Sequence, residues 1–154
     1  MRPATPVIVR VCVFARRGDE VLLVRLQDPA TNKIQHYLPG GKVEPDETLR
    51  EAAIRELWEE TGWRGRLGEQ PALVSEYVAS WGGVERHCRT HYFRSEALEP
   101  PVQAPPADSA YHRGARWVTA NGAMKLLSHN PQLRADLMRL LDTEPLRRDG
   151  GLRR

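Results

Sequence analysis

A chain of 154 residues with 40% hydrophobic and 28% charged side chains predicts one globular domain with a core large enough to fold without disulfides or a structural metal. No run approaches the roughly 18 consecutive apolar residues of a membrane span, and MRPATPVIVRV at the N-terminus carries no signal-like apolar segment, which argues against insertion or export. A net charge of +3 and a pI near 9.1 permit a polyanionic partner without demanding one.

The first elements follow from composition. Residues 6–16 (PVIVRVCVFAR) and 20–27 (EVLLVRLQ) are β-rich runs joined by Arg17-Gly18-Asp19, and they are expected to pair as an antiparallel hairpin. Residues 28–35 are polar and turn-prone, a loop. His36-Tyr37-Leu38 then leads into Pro39-Gly40-Gly41.

From Gly41 to Trp63 the sequence reads GKVEPDETLREAAIRELWEETGW. Glycine admits positive φ and close backbone approach, which suits a loop at its opening, and Gly62 stands where a left-handed cap ends a helix. Inside the predicted helix Glu56, Glu59 and Glu60 fall at i, i+3 and i+4, so they project within about one third of its circumference. Like charges at that spacing destabilise an isolated helix, and Arg55 is expected on the shoulder of the patch rather than in it. Between positions 44 and 60 seven acidic residues face two basic ones, Arg50 and Arg55. Concentrated carboxylates suit a hard divalent cation such as Mg²⁺, with Mn²⁺ as a substitute. The plain alternative is a solvated acidic helix face.

Beyond Trp63, residues 72–80 (ALVSEYVAS) and 85–95 (ERHCRTHYFRS) bracket Trp81-Gly82-Gly83-Val84 as a second strand pair. Residues 97–108 contain four prolines and are expected to form an exposed loop. Arg116-Trp117-Val118 reads as a short strand, Thr119 as the N-cap of a helix through Leu127, and Asn130-Pro131 as the start of a helix over 131–141. Strands precede, separate and follow the helices without regular alternation, which predicts an α+β class with a mixed sheet between helices. Residues 1–144 are read as a single domain. Residues 145–154, with Arg147, Arg148, Arg153 and Arg154, are read as a frayed basic tail. Cys12 and Cys88 lie far apart without a C-x-x-C partner, which fits free thiols in a reducing, cytoplasmic setting.

The spacing Gly41, five residues, Glu47, seven residues, Arg55-Glu56-Leu57, one residue, Glu59-Glu60, one residue, Gly62-Trp63 resembles the Nudix box at every specified position. A chance match in a chain of this length is expected on the order of once in ten million. With the flanking strands and C-terminal helix, the resemblance extends over most of residues 6–141. It implies an α/β/α sandwich with a central mixed β-sheet, and Mg²⁺-dependent hydrolysis of a diphosphate linkage in a nucleoside diphosphate attached to a further group X. It further implies that Glu56, Glu59 and Glu60, with a backbone carbonyl of Gly40 or Gly41, hold the metal. Arg55 and Glu47 would pair to orient the helix, placing Glu47, Arg55, Glu56 and Glu59 in the catalytic set.

Other roles stay open at this level. Arg10, Arg25, Arg86 and Arg89 are strand arginines able to grip phosphate, of which Arg10, Arg25 and Arg89 are taken as substrate-binding candidates. Trp81 and Trp117 offer rings to a base, though strand aromatics usually belong to a core. The general base is one of the helix glutamates or a later residue, with Asp108, His112, Glu76 and Glu85 as the nearby choices. The expected partner is a small-molecule nucleotide. A membrane is not expected, and nucleic acid is disfavoured because no base-reading motif accompanies the basic tail. A homodimer through an exposed strand edge is allowed. The alternative function is a catalytically silent, Nudix-like ligand-sensing or partner-binding domain.

Overall fold

The computed structural model describes residues 6–102 and 110–143. The basic tail, Asp108 and the second half of the proline-rich loop lie outside the described residues. Nine strands and three helices follow in chain order among them: β1 (Val7–Phe14), β2 (Arg16–Arg17), β3 (Glu20–Gln27), β4 (Ile34–Tyr37), β5 (Gly40–Lys42), α1 (Leu49–Thr61), β6 (Arg64–Leu67), β7 (Leu73–Trp81), β8 (Val84–Glu99), β9 (His112–Thr119), α2 (Ala120–Leu126) and α3 (Pro131–Asp142).

Two sheets form the middle layer. The first is mixed, in the order β5-β1-β8-β6 with β7 also on β8; β1 runs parallel to β8 and every other pairing is antiparallel. The second is antiparallel, with β2, β4 and β9 all paired to β3. One apolar cluster joins Val11, Val13, Leu22 and Phe93 to Ala52, Ala53 and Leu57 of α1. The other joins Cys12, Phe14, Leu23 and Tyr92 to Leu133, Leu137 and Leu140 of α3. Helices therefore cover both faces, as an α/β/α sandwich requires.

The expected hairpin between residues 6–16 and 20–27 is corrected by this topology. Only Arg16-Arg17 pairs with Glu20-Val21, around Gly18 at φ 58°. The body of β1 leaves that partner at fully buried Ala15 and enters the other sheet between β5 and β8. The reason is burial: Val11 and Val13 are covered on one face and Cys12 and Phe14 on the other, and a strand covered on both faces belongs in a sheet interior. Two more boundaries shift. β8 continues to Glu99 because β6, which the sequence reading does not anticipate, pairs with residues 95–99. The 28–35 loop gives its last residues to β4.

The loop expected at Gly40-Gly41 is instead β5, where pairing with β1 keeps both glycines out of positive φ. The strand expected at 116–118 begins at His112 because it pairs along most of β3. The helix caps and the second hairpin follow their local signals. The β7–β8 hairpin turns through Gly82 and Gly83 at φ 62° and 81°, a conformation open to glycine at little cost. Thr119 and Asn130 cap α2 and α3 through Gly122 N–H and Leu133 N–H. Both cysteines are free and buried. No helix among the described residues is long and apolar enough to cross a membrane.

Candidate active site

The central helix is fixed at both ends. Thr48 accepts from Glu51 N–H while the Glu51 carboxylate accepts from Thr48 N–H, a reciprocal cap written in the sequence as T-L-R-E. At the other end Gly62, at φ 80°, donates its N–H to Trp58 O. Ala52, Ala53, Leu57 and Thr61 face the core, which turns Glu56, Glu59 and Glu60 toward β5.

Each carboxylate meets a different environment. Glu60 Oε1 accepts the backbone N–H of Gly40 at 2.9 Å. Burial pushes its pKa up to about 8, against the partial relief of that hydrogen bond and of the Arg10 charge. Glu56, whose side chain is 14% exposed, is also raised by burial, with Arg55 pulling the other way and Glu59 adding repulsion. Its carboxylate lies against Gly41, where any Cβ would overlap it. Glu59 is the most exposed of the three, at 41%.

Arg55 is where the structure departs most from the sequence reading. Instead of standing on the shoulder of the patch, its Nη1 lies 3.1 Å from both Glu56 Oε2 and Glu59 Oε1, with Glu44 Oε2 at 3.8 Å. Its other edge grips Glu47 bidentately, Nε to Oε2 at 2.5 Å and Nη2 to Oε1 at 3.0 Å, and Nη2 also donates to Lys42 O. The guanidinium hydrogen bond holds the Glu47 carboxyl below the usual carboxylate range. The reason for the difference is reach. Arg55 is adjacent to Glu56 in sequence, but its long side chain folds back across the helix, because Glu47 and the end of β5 anchor its far edge.

Arg10 lies on β1 opposite Lys42 of β5 and Thr90 of β8. Its charge reaches Glu56 and Glu60, lowering the pKa of each against burial. Arg25 and Arg89 are placed differently. Arg25 donates to Arg113 O on the second sheet, and Arg89 pairs with Glu76 at 2.8 Å. Strand residues alternate faces, so Arg89, one position from Thr90, points to the sheet face opposite Arg10.

Among the candidate bases, Glu76 is held by Arg89 and His87 and Asp108 lies outside the described residues. His112 Nδ1 accepts from Gly114 N–H at 3.2 Å, and burial lowers its pKa against the pull of the Glu60 backbone, which brings this ring beside the end of the central helix. Trp117 packs edge-to-face against Trp63, 5.2 Å between centroids, with the Arg17 guanidinium 4.3 Å over it. Trp81 meets Tyr37 and Tyr111 edge-to-face at 6.3 and 5.9 Å.

Chemically the patch offers a divalent cation three carboxylates and glycine backbone, all hard oxygen donors, and two of those carboxylates, Glu56 and Glu60, are partly buried groups whose pKa values burial raises and a cation would relieve. As the side chains stand, no three acidic, His or Cys groups among the described residues converge as an ion's shell: Glu60 is turned to Gly40, and Arg55 separates Glu56 from Glu59.

A family model described as NUDIX domain matches residues 5–141. The chain belongs to the NUDIX family of hydrolases. The NUDIX chain is 43% identical over 132 residues to diphosphoinositol polyphosphate phosphohydrolase 3-beta of Bos taurus, covering 85% of itself and 74% of that protein. It is 31% identical over 131 residues to Nudix hydrolase 12, mitochondrial, of Arabidopsis thaliana; that match takes in 81% of this chain but only 61% of the relative's length. Among solved structures, the MutT protein from Methanosarcina mazei Go1 superposes with a TM-score of 0.73 at 25% identity, over 94% of this NUDIX chain and 100% of that one.

Proposed function

We propose that this NUDIX domain hydrolyses a diphosphate linkage in a small nucleotide-like substrate, a nucleoside diphosphate joined to X or a nucleoside triphosphate. Glu56, Glu59 and Glu60, with backbone of Gly40 or Gly41, hold the divalent cation, Mg²⁺ or Mn²⁺. The observation that carries the reading is the Glu60 carboxylate, buried against Gly40 N–H beside Glu56 and with the Arg10 guanidinium as its nearby cation. When bound, the ion neutralises phosphate charge and lowers the pKa of a coordinated water.

The protein's own groups supply the rest. Arg55, clamped by Glu47 and Lys42 O, fixes the rotamers of Glu56 and Glu59 so that their oxygens are ordered before substrate arrives. Arg10, within Coulombic reach of Glu56 and Glu60, donates to non-bridging phosphate oxygens. Positioning and charge stabilisation of this kind make up most of what phosphoryl-type transfer requires. Free Cys12 and Cys88 suit work in a reducing compartment such as the cytoplasm.

One observation favours a second reading. Arg55 Nη1 between Glu56 and Glu59 is a contact that a silent ligand-binding domain would keep in place. One assay separates the two. Nucleoside triphosphates, nucleotide sugars and dinucleoside polyphosphates are incubated with Mg²⁺ or Mn²⁺ and the products identified. Cation-dependent cleavage of an anhydride bond, reduced at least about a hundredfold in Glu59→Gln and Glu60→Gln, supports hydrolysis. Near-normal turnover of both variants at saturating Mg²⁺ refutes the ligand assignment, and no cleavage of any compound favours the silent domain.

A further inference from the structure

Between the end of β1 at Phe14 and the start of β2 at Arg16 the chain passes from one sheet to the other. A cavity of about 240 Å³ opens beside this crossing, lined by Arg16 and Arg17 of β2, Trp63 after the α1 cap and residues 95–98 of β8. None of these residues belongs to the carboxylate patch, and no step described so far uses them.

The wall is rich in donors and poor in open acceptors. Among the described residues the half-exposed Arg17 guanidinium donates only through Nη2, to Glu20 Oε1 at 3.0 Å, one N–H of a fork that carries several. Its Cζ stands 4.3 Å from the Trp117 ring centroid and 5.7 Å from that of Trp63, a cation–π arrangement that holds it in place. Trp117 Nε1 is buried with no hydrogen-bond partner among the described residues. Ser95 Oγ accepts from Arg16 N–H at 3.1 Å, which leaves its hydroxyl proton available to a further acceptor. Glu96 is already paired, with Arg66 at 3.0 Å. Trp63, Ala97 and Leu98 give the same wall apolar surface, and Trp63 and Leu98 are anchored in the cluster under α1. Surplus donors beside a cation suit an oxygen anion, and the apolar stretch suits a hydrocarbon body. The carboxylates of Glu20 and Glu96 nearby oppose a second negative charge on the ligand. The volume lies below the roughly 300 Å³ at which pockets for drug-sized molecules begin, so the occupant is small.

We propose that this cavity is a second ligand site, separate from the carboxylate patch, for a small monocarboxylate with an apolar body. The carboxylate takes the open edge of Arg17 and the Ser95 hydroxyl, and the body lies along Trp63, Ala97 and Leu98. The inference does not depend on the hydrolase reading above.

Indole N–H resonances locate such a ligand, because the tryptophans stand in different places: Trp63 in the wall, Trp117 against Arg17, Trp58 against Arg64 and Trp81 at the β7–β8 hairpin. Phenylacetate, uncharged phenylacetamide and acetate are titrated into the ¹⁵N-labelled full chain, and phenylacetate and phenylacetamide also into Arg17→Met and Ser95→Ala. Phenylacetate is expected to shift the Trp63 and Trp117 signals saturably while Trp81 stays fixed. Its Kd should be at least about tenfold below that of phenylacetamide, which lacks the charge, and that of acetate, which lacks the body. Arg17→Met keeps an apolar stem beside the two indoles, and should weaken phenylacetate about tenfold and erase its advantage over phenylacetamide. Ser95→Ala should weaken it by less. No saturable shift at Trp63 overturns the inference. Shifts confined to Trp81 overturn it by putting the ligand elsewhere, and equal affinity for phenylacetate and phenylacetamide overturns the recognition of an anion. Undiminished phenylacetate binding in Arg17→Met overturns the assignment of the guanidinium. The three-ligand comparison on wild type decides the matter even where a variant fails to fold.

Discussion

Glu60 and Gly40 are joined by a hydrogen bond of 2.9 Å from the glycine N–H to the carboxylate, in surroundings dry enough to hold the Glu60 pKa at about 8 against an ordinary 4.5. Between those two values the folded chain keeps a proton that the unfolded chain has released. Stability contributed by neutral Glu60 is therefore complete below pH 4.5 and is lost as pH rises toward 8. Glu56, raised by burial, acts in the same direction. Calorimetric melting of metal-free protein should show Tm falling across that window. Glu60→Gln should flatten the fall, and saturating Mg²⁺ should offset it. A metal-free wild-type Tm that climbs over the same range contradicts the assignment.

The two glycines at β5 should fail differently when given a side chain. A Cβ on Gly40 would overlap the backbone carbonyl of Val11, whereas one on Gly41 would overlap the Glu56 carboxylate. Backbone yields less readily than a side-chain end. Gly40→Ala is expected to lower stability by about 2 kcal/mol or more. Gly41→Ala should cost less stability but at least about tenfold in activity, through displacement of Glu56. Urea unfolding and initial rates on the same preparations distinguish them.

Arg55 should tolerate no conservative change. Lysine keeps the charge but lacks the fork that contacts Glu47, Glu56, Glu59 and Lys42 O together. Arg55→Lys is expected to reduce kcat by about tenfold or more and stability by about 1–2 kcal/mol. Equal kcat values for the two proteins in a steady-state assay would show that the guanidinium does not order the carboxylates.

On the face of the first sheet that α3 covers, buried Tyr92 donates its hydroxyl to Asp136 Oδ2 of that helix at 2.7 Å. Asp136→Ala leaves that hydroxyl without its partner and should cost about 1–3 kcal/mol. Asp136→Asn, which keeps an acceptor, should cost less. Chemical denaturation measures both, and equal midpoints for the two variants would mean that water replaces the lost partner.

Local elements were legible because their signals are local. Thr119, Asn130 and Gly62 mark helix ends by backbone chemistry confined to a few residues, and the β7–β8 hairpin follows from its Gly82-Gly83 turn. Helical spacing likewise put Glu56, Glu59 and Glu60 on one side of α1, but not the directions of their carboxylates, since Glu60 turns to Gly40 N–H and Arg55 Nη1 lies between the other two. Strand pairing was not. The composition of residues 6–27 suits a hairpin, yet burial on both faces draws β1 into the other sheet, a preference that exists only once α1 and α3 supply the covering layers. β6 has no strong pattern of its own and is defined by its pairing with the end of β8.

Sequence by itself determined the family, the central helix and the identity of the acids on it, because a capped amphipathic helix encodes its own geometry in residue spacing. Only the tertiary structure decided which cations attend those acids. It drew Arg55 into the patch and Arg10 within Coulombic reach of it, and committed Arg25 and Arg89 elsewhere. The physical reason is that a long charged side chain goes wherever its partners and the surrounding burial leave the lowest electrostatic free energy, and those partners come from strands distant in the chain.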